Sequence, residues 1–352
     1  MSLMKEASSL CKLGFDVDKG AGFFRQVPSP VHDGELIALR PCERLTKVSV
    51  IGAGNVGMAI AQTILTEGLA DEIALVDAEA DRVRGEMLDL QHAAAFLPRV
   101  RIVAGTDVLA LTRSSDLAII TVPRETAAAS RMDQLRRNVA LLREVMPTVA
   151  EGSPESLLLV VSNPVDVLAY AAWKLSGFPS SRVIGSGTDL DSARLRCLLA
   201  EHLDVGAQDM QAYMVSEHGD GALALWWSIR VGGMPVLSYL QKTHSLFDAV
   251  GCAGEVIGLK GYTSWAIGYS AASLARSLLR DQRRVHPVSV LAKGFVPGDT
   301  HEVFLSLPAR LGRRGVLGIV GIAAELELTG DEETTLHRSA ETLWGYRQEL
   351  KL

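Results

Sequence analysis

Three glycines at a fixed spacing after a short apolar run constrain this chain more than any other feature. The segment TKVSVIGAGNVGMAIAQTILTEG (46–68) has a β-strand pattern, then Gly52-x-Gly54-x-x-Gly57, then an apolar helical pattern. The first glycine permits a tight turn, the second lets the backbone approach a pyrophosphate, and the third allows a helix to pack closely on a strand. The free N–H groups at the helix N-terminus favour phosphate. The segment therefore predicts a dinucleotide-binding site.

The next predicted strand, EIALVD (72–77), ends in an acidic residue 20 positions beyond the last of these glycines. Asp77 can accept hydrogen bonds from ribose hydroxyls and would repel a 2′-phosphate, so the predicted cofactor is NAD rather than NADP. Further candidate cofactor contacts lie within the glycine turn or directly after other predicted strands: Asn55, Val56, Thr121 and Ser162.

Strand and helix patterns alternate over residues 46–188, which predicts an α/β domain with a doubly wound parallel sheet, the Rossmann architecture. Its later strands are predicted at 101–104, 116–121, 157–162 and 182–185, with helices at 81–95, 132–150 and 165–176. Residues 189–352 predict a mixed α+β substrate domain: a helix from 189, strands at 210–216, 223–231, 287–293 and 302–307, and helices at 255–279 and 336–352. Residues 1–45 show no such period and are predicted to form an N-terminal arm.

The composition excludes several classes of partner. A net charge of −6 argues against nucleic acid, whose phosphates require a basic surface. The longest apolar runs, such as LLLVV (157–161), have the length of a strand, which argues against a membrane span. The four cysteines are scattered without metal-ligand spacing, so we expect no metal site and a reducing, cytoplasmic location.

Polar residues after the later strands suggest an acid–base site. Asp191 and Arg194 are three positions apart and would share one face of a helix. A carboxylate beside His218, in VSEHGDG (215–221), would fix the imidazole tautomer and raise its pKa. An arginine there could hold a substrate carboxylate through two hydrogen bonds. The alternatives from spacing alone are an intrahelical surface pair and an ordinary histidine at a turn.

At this point several separate blocks resemble one family. The motifs are VSVIGAGNVG, GEMLDLQHA, VVSNPVDVL, RVIGSGTDLDSAR, EHGD and LKGYTSWAIG. Together they resemble L-lactate dehydrogenase, and LADEIALVD, HAAAFLPR and RDQRRVHPVSVLAKGF resemble its plant type in particular. The sister family, malate dehydrogenase, shares the nucleotide half and the histidine–aspartate pair but fits the flanking blocks less well.

The resemblance implies a reaction, the NADH-dependent reduction of pyruvate to L-lactate and its reverse, in a homotetramer. His218 would donate and accept the proton with Asp191 as its carboxylate partner, and Arg194 would hold the substrate carboxylate. The other implied contacts are Arg131 on the ketone oxygen, Thr263 beside the substrate methyl group, Asn163 beside the carbonyl group and the nicotinamide, and Ile267 beside the nicotinamide. The peptide bond before Pro164 would be cis.

Two segments depart from the family pattern. Residues 121–131 are one position shorter and lack both family glycines, with Val122-Pro123 in place of a flexible start. Glu125 occupies the family position that faces the substrate side chain. In the alternative register, Thr126 occupies it. Lactate dehydrogenases have glutamine at this position, and malate dehydrogenases have arginine. Residues 241–260 are about ten positions shorter than in the family and contain three glycines, which are unfavourable in a helix.

These departures leave two alternatives open beside the lactate dehydrogenase. One is a catalytically impaired relative that binds NAD or serves as a subunit of an oligomer. The other is a dehydrogenase for another 2-keto acid such as oxaloacetate, although the negative charge of Glu125 would repel a second substrate carboxylate.

Overall fold

The computed structural model describes residues 45–121, 131–236, 251–295, 301–320, 328 and 330–351, apart from the side chains of 131 and 251–253. The predicted arm lies outside these residues except for Leu45, and so does the segment that contains Glu125. Leu45–Leu352 form one compact unit. The division of that unit at residue 188 therefore stays a prediction.

Six parallel strands form the first half of the main sheet. They are β1 (Lys47–Ile51), β2 (Glu72–Val76), β3 (Arg101–Gly105), β4 (Leu117–Ile120), β5 (Leu157–Val160) and β6 (Val183–Gly185). Their order in the sheet is β3-β2-β1-β4-β5-β6, so the chain winds outward in both directions from β1. All four residues of β4 and of β5 are buried, as expected for strands covered on both faces. The predicted doubly wound sheet is confirmed.

Helices connect these strands. They are α1 (Asn55–Thr66), α2 (Ala80–His92), α3 (Val108–Thr112), α4 (Arg131–Gly152) and α5 (Val165–Ser176). The short helix α3 was not predicted from the sequence. Asp107 caps it by accepting a hydrogen bond from the backbone N–H of Ala110 at 3.0 Å. In α5 the first eight residues are all buried, so this helix lies inside the molecule rather than on its surface. Among the described residues, no helix is both long enough and apolar enough to span a bilayer.

The second half continues the same sheet with antiparallel strands. It contains β7 (Met210–Gln211), β8 (Met214–Ser216), β9 (Ala222–Ala224), β10 (Arg230–Val231), β11 (Met234–Pro235), β12 (Val285–Leu291), β13 (Phe304–Gly312) and β14 (Gly315–Ile319). Its helices are α6 (Asp189–Leu203), α7 (Gly251–Lys260), α8 (Trp265–Leu279) and α9 (Gly330–Leu350). β12 joins β6 where Ser289 lies opposite Gly185, and the order continues β13-β8-β9, with β14 on β13. A small second sheet has the order β11-β10-β7.

Three predictions for this half were wrong in detail. The single helix at 255–279 is two helices, because Gly261 has a φ of 88° that ends α7 before α8 begins. The strand at 223–231 is divided between β9 and β10 by a 3-10 turn at Trp226–Ser228. The single strand at 210–216 is two strands, β7 and β8, which belong to different sheets.

Candidate active site

The glycine turn between β1 and α1 has the shape that its spacing predicts. Gly52 has a φ of 103°, and a Cβ atom there would collide with the backbone of Thr121. A Cβ atom on Gly57 would collide with the carbonyl group of Gly52, so this glycine is needed for contact between helix and strand. A Cβ atom on Gly54, in contrast, would meet no atom of the described residues within 4 Å. The second glycine therefore opens onto free space, as a turn that receives a pyrophosphate requires.

The end of β2 adds a carboxylate to this turn. Asp77 accepts hydrogen bonds from the backbone N–H groups of Ala53 at 2.7 Å and Glu79 at 3.1 Å. Each carboxylate oxygen keeps a lone pair for a further donor such as a ribose hydroxyl. Asn55 and Val56 form the first turn of α1, directly after Gly54. These residues fit NAD: the helix N-terminus would hold its pyrophosphate and Asp77 its adenosine ribose.

The predicted residues at the ends of β4 and β5 are close to the same turn. The hydroxyl of Thr121 donates to the carbonyl of Gly52 at 2.6 Å. Ser162 donates to the carbonyl of Ile120 at 3.3 Å, which ties the ends of β4 and β5 together. The Asn163–Pro164 peptide bond is cis, as expected, and the carbonyl of Asn163 accepts from the amide of Asn138 at 3.2 Å.

The acid–base residues meet at the start of α6. Asp191 has a relative exposure of only 1% and carries two hydrogen bonds. One oxygen lies 2.6 Å from Nδ1 of His218, and the other accepts from Nη1 of Arg194 at 2.7 Å. The intrahelical Asp–Arg pair considered from spacing is thus present, but it is buried and shared with the histidine. Arg194 is partly exposed, and its guanidinium has further N–H donors that could hold a carboxylate.

The surroundings set the charge of His218. Burial lowers the pKa of His218. The hydrogen bond that its ring donates to Asp191 and the negative charges of Asp191 and Asp166 outweigh this, so the pKa is raised despite the opposing charge of Arg194. The side chain keeps 23% of its exposure, so its far edge can be reached by a small molecule. An imidazole whose protonated form is stabilised and whose orientation is fixed is suited to giving a proton and taking it back.

A second buried carboxylate was missed by the sequence analysis. Asp166, on the first turn of α5, accepts from the backbone N–H of His218 at 2.9 Å and from the hydroxyl of Ser289 at 2.5 Å. Burial raises its pKa, and these two hydrogen bonds offset only part of that effect. The available signal was an acidic residue within the otherwise apolar segment PVDVLAYAAW (164–173).

The remaining predicted residues lie on separate elements. Thr263 is partly buried between α7 and α8, and Ile267 packs against the main core from the first turns of α8. A Cβ atom on the next residue, Gly268, would lie 3.0 Å from the carbonyl of Ala59, so α8 packs tightly on α1. This contact brings Ile267 towards the helix of the glycine turn. Arg131 begins α4, and its side chain is not among those described.

A doubly wound sheet with a dinucleotide turn, joined to a histidine–aspartate–arginine site, defines a nicotinamide-dependent dehydrogenase. The family model described as lactate/malate dehydrogenase, NAD binding domain, matches residues 46–185. The model described as lactate/malate dehydrogenase, alpha/beta C-terminal domain, matches residues 188–349. The chain therefore belongs to the lactate/malate dehydrogenase family, and NAD is its cofactor.

Individual relatives agree with the family models. The chain is 64% identical to "L-lactate dehydrogenase A" of Hordeum vulgare over 362 aligned residues, covering 99% of this chain and all of the relative. It is 66% identical to "L-lactate dehydrogenase B" of the same plant, covering 93% of this chain and 97% of the relative. It is 60% identical to the "L-lactate dehydrogenase" of Zea mays, covering 97% and 98%. The predicted resemblance to the plant type is confirmed.

Proposed function

We propose that the protein is an L-lactate dehydrogenase that reduces pyruvate to L-lactate and catalyses the reverse reaction. The observation that carries this proposal is the buried Asp191 carboxylate shared between His218 and Arg194. One residue thereby places a proton donor beside a cation that can bind a carboxylate. A 2-keto acid presents a carbonyl oxygen and a carboxylate at the matching short separation.

The chain's own residues perform the proton step. Bound NADH would supply the hydride for the carbonyl carbon. His218, in its protonated form, donates its proton to the ketone oxygen of the substrate. Asp191 stabilises the imidazolium before transfer and holds the neutral tautomer afterwards. Arg194 orients the substrate through its carboxylate, and Arg131 would polarise the ketone oxygen from the start of α4.

The direction of the reaction sets its pH dependence. Reduction requires protonated His218 and should decline as the pH rises through the raised pKa of this residue. Oxidation of lactate requires the neutral imidazole and should rise over the same range.

Pyruvate is favoured over oxaloacetate in this proposal, because Glu125 would bring a negative charge towards the second carboxylate of oxaloacetate. The impaired relative is the less favoured alternative, since Asp191, Arg194 and His218 are assembled with the geometry that the reaction needs. We also propose a cytoplasmic homotetramer. The family resemblance implies the four subunits, and four scattered cysteines without metal-ligand spacing favour a reducing compartment.

The test is an absorbance assay of NADH consumption by the purified full-length chain, with pyruvate and oxaloacetate in parallel. We expect faster turnover of pyruvate and weaker use of NADPH, which Asp77 would repel. NADH binding, measured by fluorescence, without turnover of either acid would support the impaired relative. Equal or better turnover of oxaloacetate would assign a different substrate. Light scattering of the same sample measures the number of subunits.

A further inference from the structure

Asp166 connects three elements beneath the proposed proton donor. It belongs to α5, its Oδ2 atom accepts from the backbone of the His218 turn, and its Oδ1 atom accepts from Ser289 on β12. Its relative exposure is 3%, and Ser289 is completely buried. The carboxylate therefore fixes the main chain of the turn rather than the imidazole ring, which Asp191 holds from α6.

The charge of Asp166 also acts on His218. Among the described residues, the charged groups with the largest effect on the imidazole are Asp191 and Arg194 from α6 and Asp166 from α5. The two carboxylates both raise its pKa. On its other side Asp166 borders a small cavity that is also lined by Tyr170, Glu302 and Arg347. Glu302 forms ion pairs with Lys174 at 2.8 Å and with Arg347 at 3.7 Å, so the charges of this cluster have opposite charges beside them.

We propose that Asp166 is a positioning residue of the proton-transfer step, which holds the His218 turn through its backbone and stabilises the protonated imidazole through its negative charge. This inference rests on the proposed function, because it concerns the proton that His218 gives to pyruvate. A backbone N–H can only donate, so Oδ2 accepts, and the Ser289 hydroxyl donates to Oδ1. Both hydrogen bonds favour the ionised carboxylate and oppose the burial that raises the pKa of Asp166.

The test is Asp166→Asn in the full-length chain, which keeps an acceptor oxygen for the His218 backbone and removes the charge. NMR titration of the labelled imidazole should show the pKa of His218 falling by about 1, the scale of one partly screened charge in a buried site. Pyruvate reduction should then be about tenfold slower than in the parent protein above both pKa values, and nearly unchanged well below them. A purely structural role would lower the rate equally at every pH.

Two further variants serve as controls. Ser289→Ala removes a donor from Asp166 without touching His218, and should shift the pKa of His218 in the same direction by a smaller amount. Asp189→Asn neutralises another buried carboxylate of α6, which is bonded to Ser270 and His286, and should leave the pKa of His218 in place. If Asp166→Asn does not fold, as judged by circular dichroism, the Ser289→Ala titration decides the question.

An unchanged pKa of His218 in folded Asp166→Asn, or in Ser289→Ala where that variant decides, would overturn the proposal. So would an equal shift in Asp189→Asn, since any buried carboxylate would then have the same effect. The titration is independent of turnover. A parent protein that fails to reduce pyruvate would overturn the proposed function while the shift in Asp166→Asn still shows whether this carboxylate acts on His218.

Discussion

Two aspartates of helix α6 each pair with a histidine from another part of the chain, and the two histidines differ in their accessibility. Asp191 lies 2.6 Å from Nδ1 of His218, and Asp189, two residues earlier, lies 3.1 Å from Nδ1 of His286. In each pair the carboxylate fixes one ring nitrogen and so selects the tautomer. The difference lies at the other nitrogen. Nε2 of His286 is bonded to the hydroxyl of Ser277 at 2.9 Å, whereas His218 keeps an exposed edge.

The buried pair resembles the serine–histidine–aspartate arrangement of hydrolases in its connectivity. Ser277 has no solvent exposure and is bonded to Nε2 of His286, and the side chain of His286 retains only 6% of its exposure, so this far ring nitrogen is not available to a substrate. Ser270 completes the arrangement by donating to Asp189 at 2.7 Å, which satisfies both carboxylate oxygens. A carboxylate therefore orients a histidine in both places, but access to the far ring nitrogen decides which one can exchange a proton with a ligand.

The largest expected effect separates the two histidines by turnover. His218→Ala should lower the turnover of pyruvate by about 100-fold or more, the usual loss for a positioned acid–base group. NADH binding should survive, because His218 is not part of the glycine turn. His286→Ala is the matched control and should keep turnover within several-fold of the parent protein, provided that it is assayed well below its unfolding temperature. Comparable losses of turnover in His218→Ala and His286→Ala would contradict the assignment of proton transfer to His218 alone.

For stability we expect the opposite order, with a greater loss in His286→Ala than in His218→Ala. His286→Ala leaves a buried carboxylate and a buried hydroxyl short of one partner each, so we expect the free energy of unfolding to fall by about 2 kcal/mol. His218→Ala should cost less, because its ring is partly exposed and water can replace its contacts. Urea unfolding of both variants measures this difference. A greater loss in His218→Ala would contradict a structural role for the buried pair.

The third expected effect concerns Arg194, the cation that is bonded to Asp191 in the pair with His218. Arg194→Lys should weaken pyruvate binding by about 1–3 kcal/mol, because lysine keeps the charge but loses the planar pair of donors. Arg276→Lys, at the ion pair with Glu67 between α8 and α1, is the matched control and should leave the Michaelis constant unchanged. Steady-state kinetics with pyruvate distinguish them. Equal constants in the parent protein and in Arg194→Lys would remove this residue as the carboxylate clamp.

The nucleotide half could be predicted closely because its determinants are local. Its parallel strands are rich in apolar residues, and β4 and β5 are apolar throughout. The turn at Gly52 has a backbone conformation that other residues adopt only at a cost. The spacing along α6 placed Asp191 and Arg194 on one face, and the family resemblance added His218 as the partner of Asp191.

The substrate half was less predictable because its short strands depend on distant partners. β8 and β9 have three residues each, too few for a periodic pattern, and are stabilised by pairing with each other and with β13. Asp166 was missed for a related reason. Its two donors come from 52 and 123 positions away along the chain, so sequence spacing carries no sign of them.

The smallest expected effect is on stability, and it concerns the backbone conformation next to each histidine. His286 is an interior strand residue, paired with Ala309 across β12 and β13. Ser216, two positions before His218, has a φ of 80°, which is strained for a residue with a Cβ atom, and its buried hydroxyl has no partner among the described residues. Ser216→Gly should relieve both costs.

The variant gains stability because it removes an unsatisfied hydroxyl and a left-handed φ at a residue with a Cβ atom. Part of this gain is lost because glycine gives the unfolded chain greater conformational freedom. We therefore expect Ser216→Gly to raise the free energy of unfolding by about 1 kcal/mol. Ser289→Gly is a contrasting control, because Ser289 is equally buried but its hydroxyl is bonded to Asp166, so this variant should lose stability. Urea unfolding measures both. A loss of stability in Ser216→Gly would show that the turn before His218 is not strained.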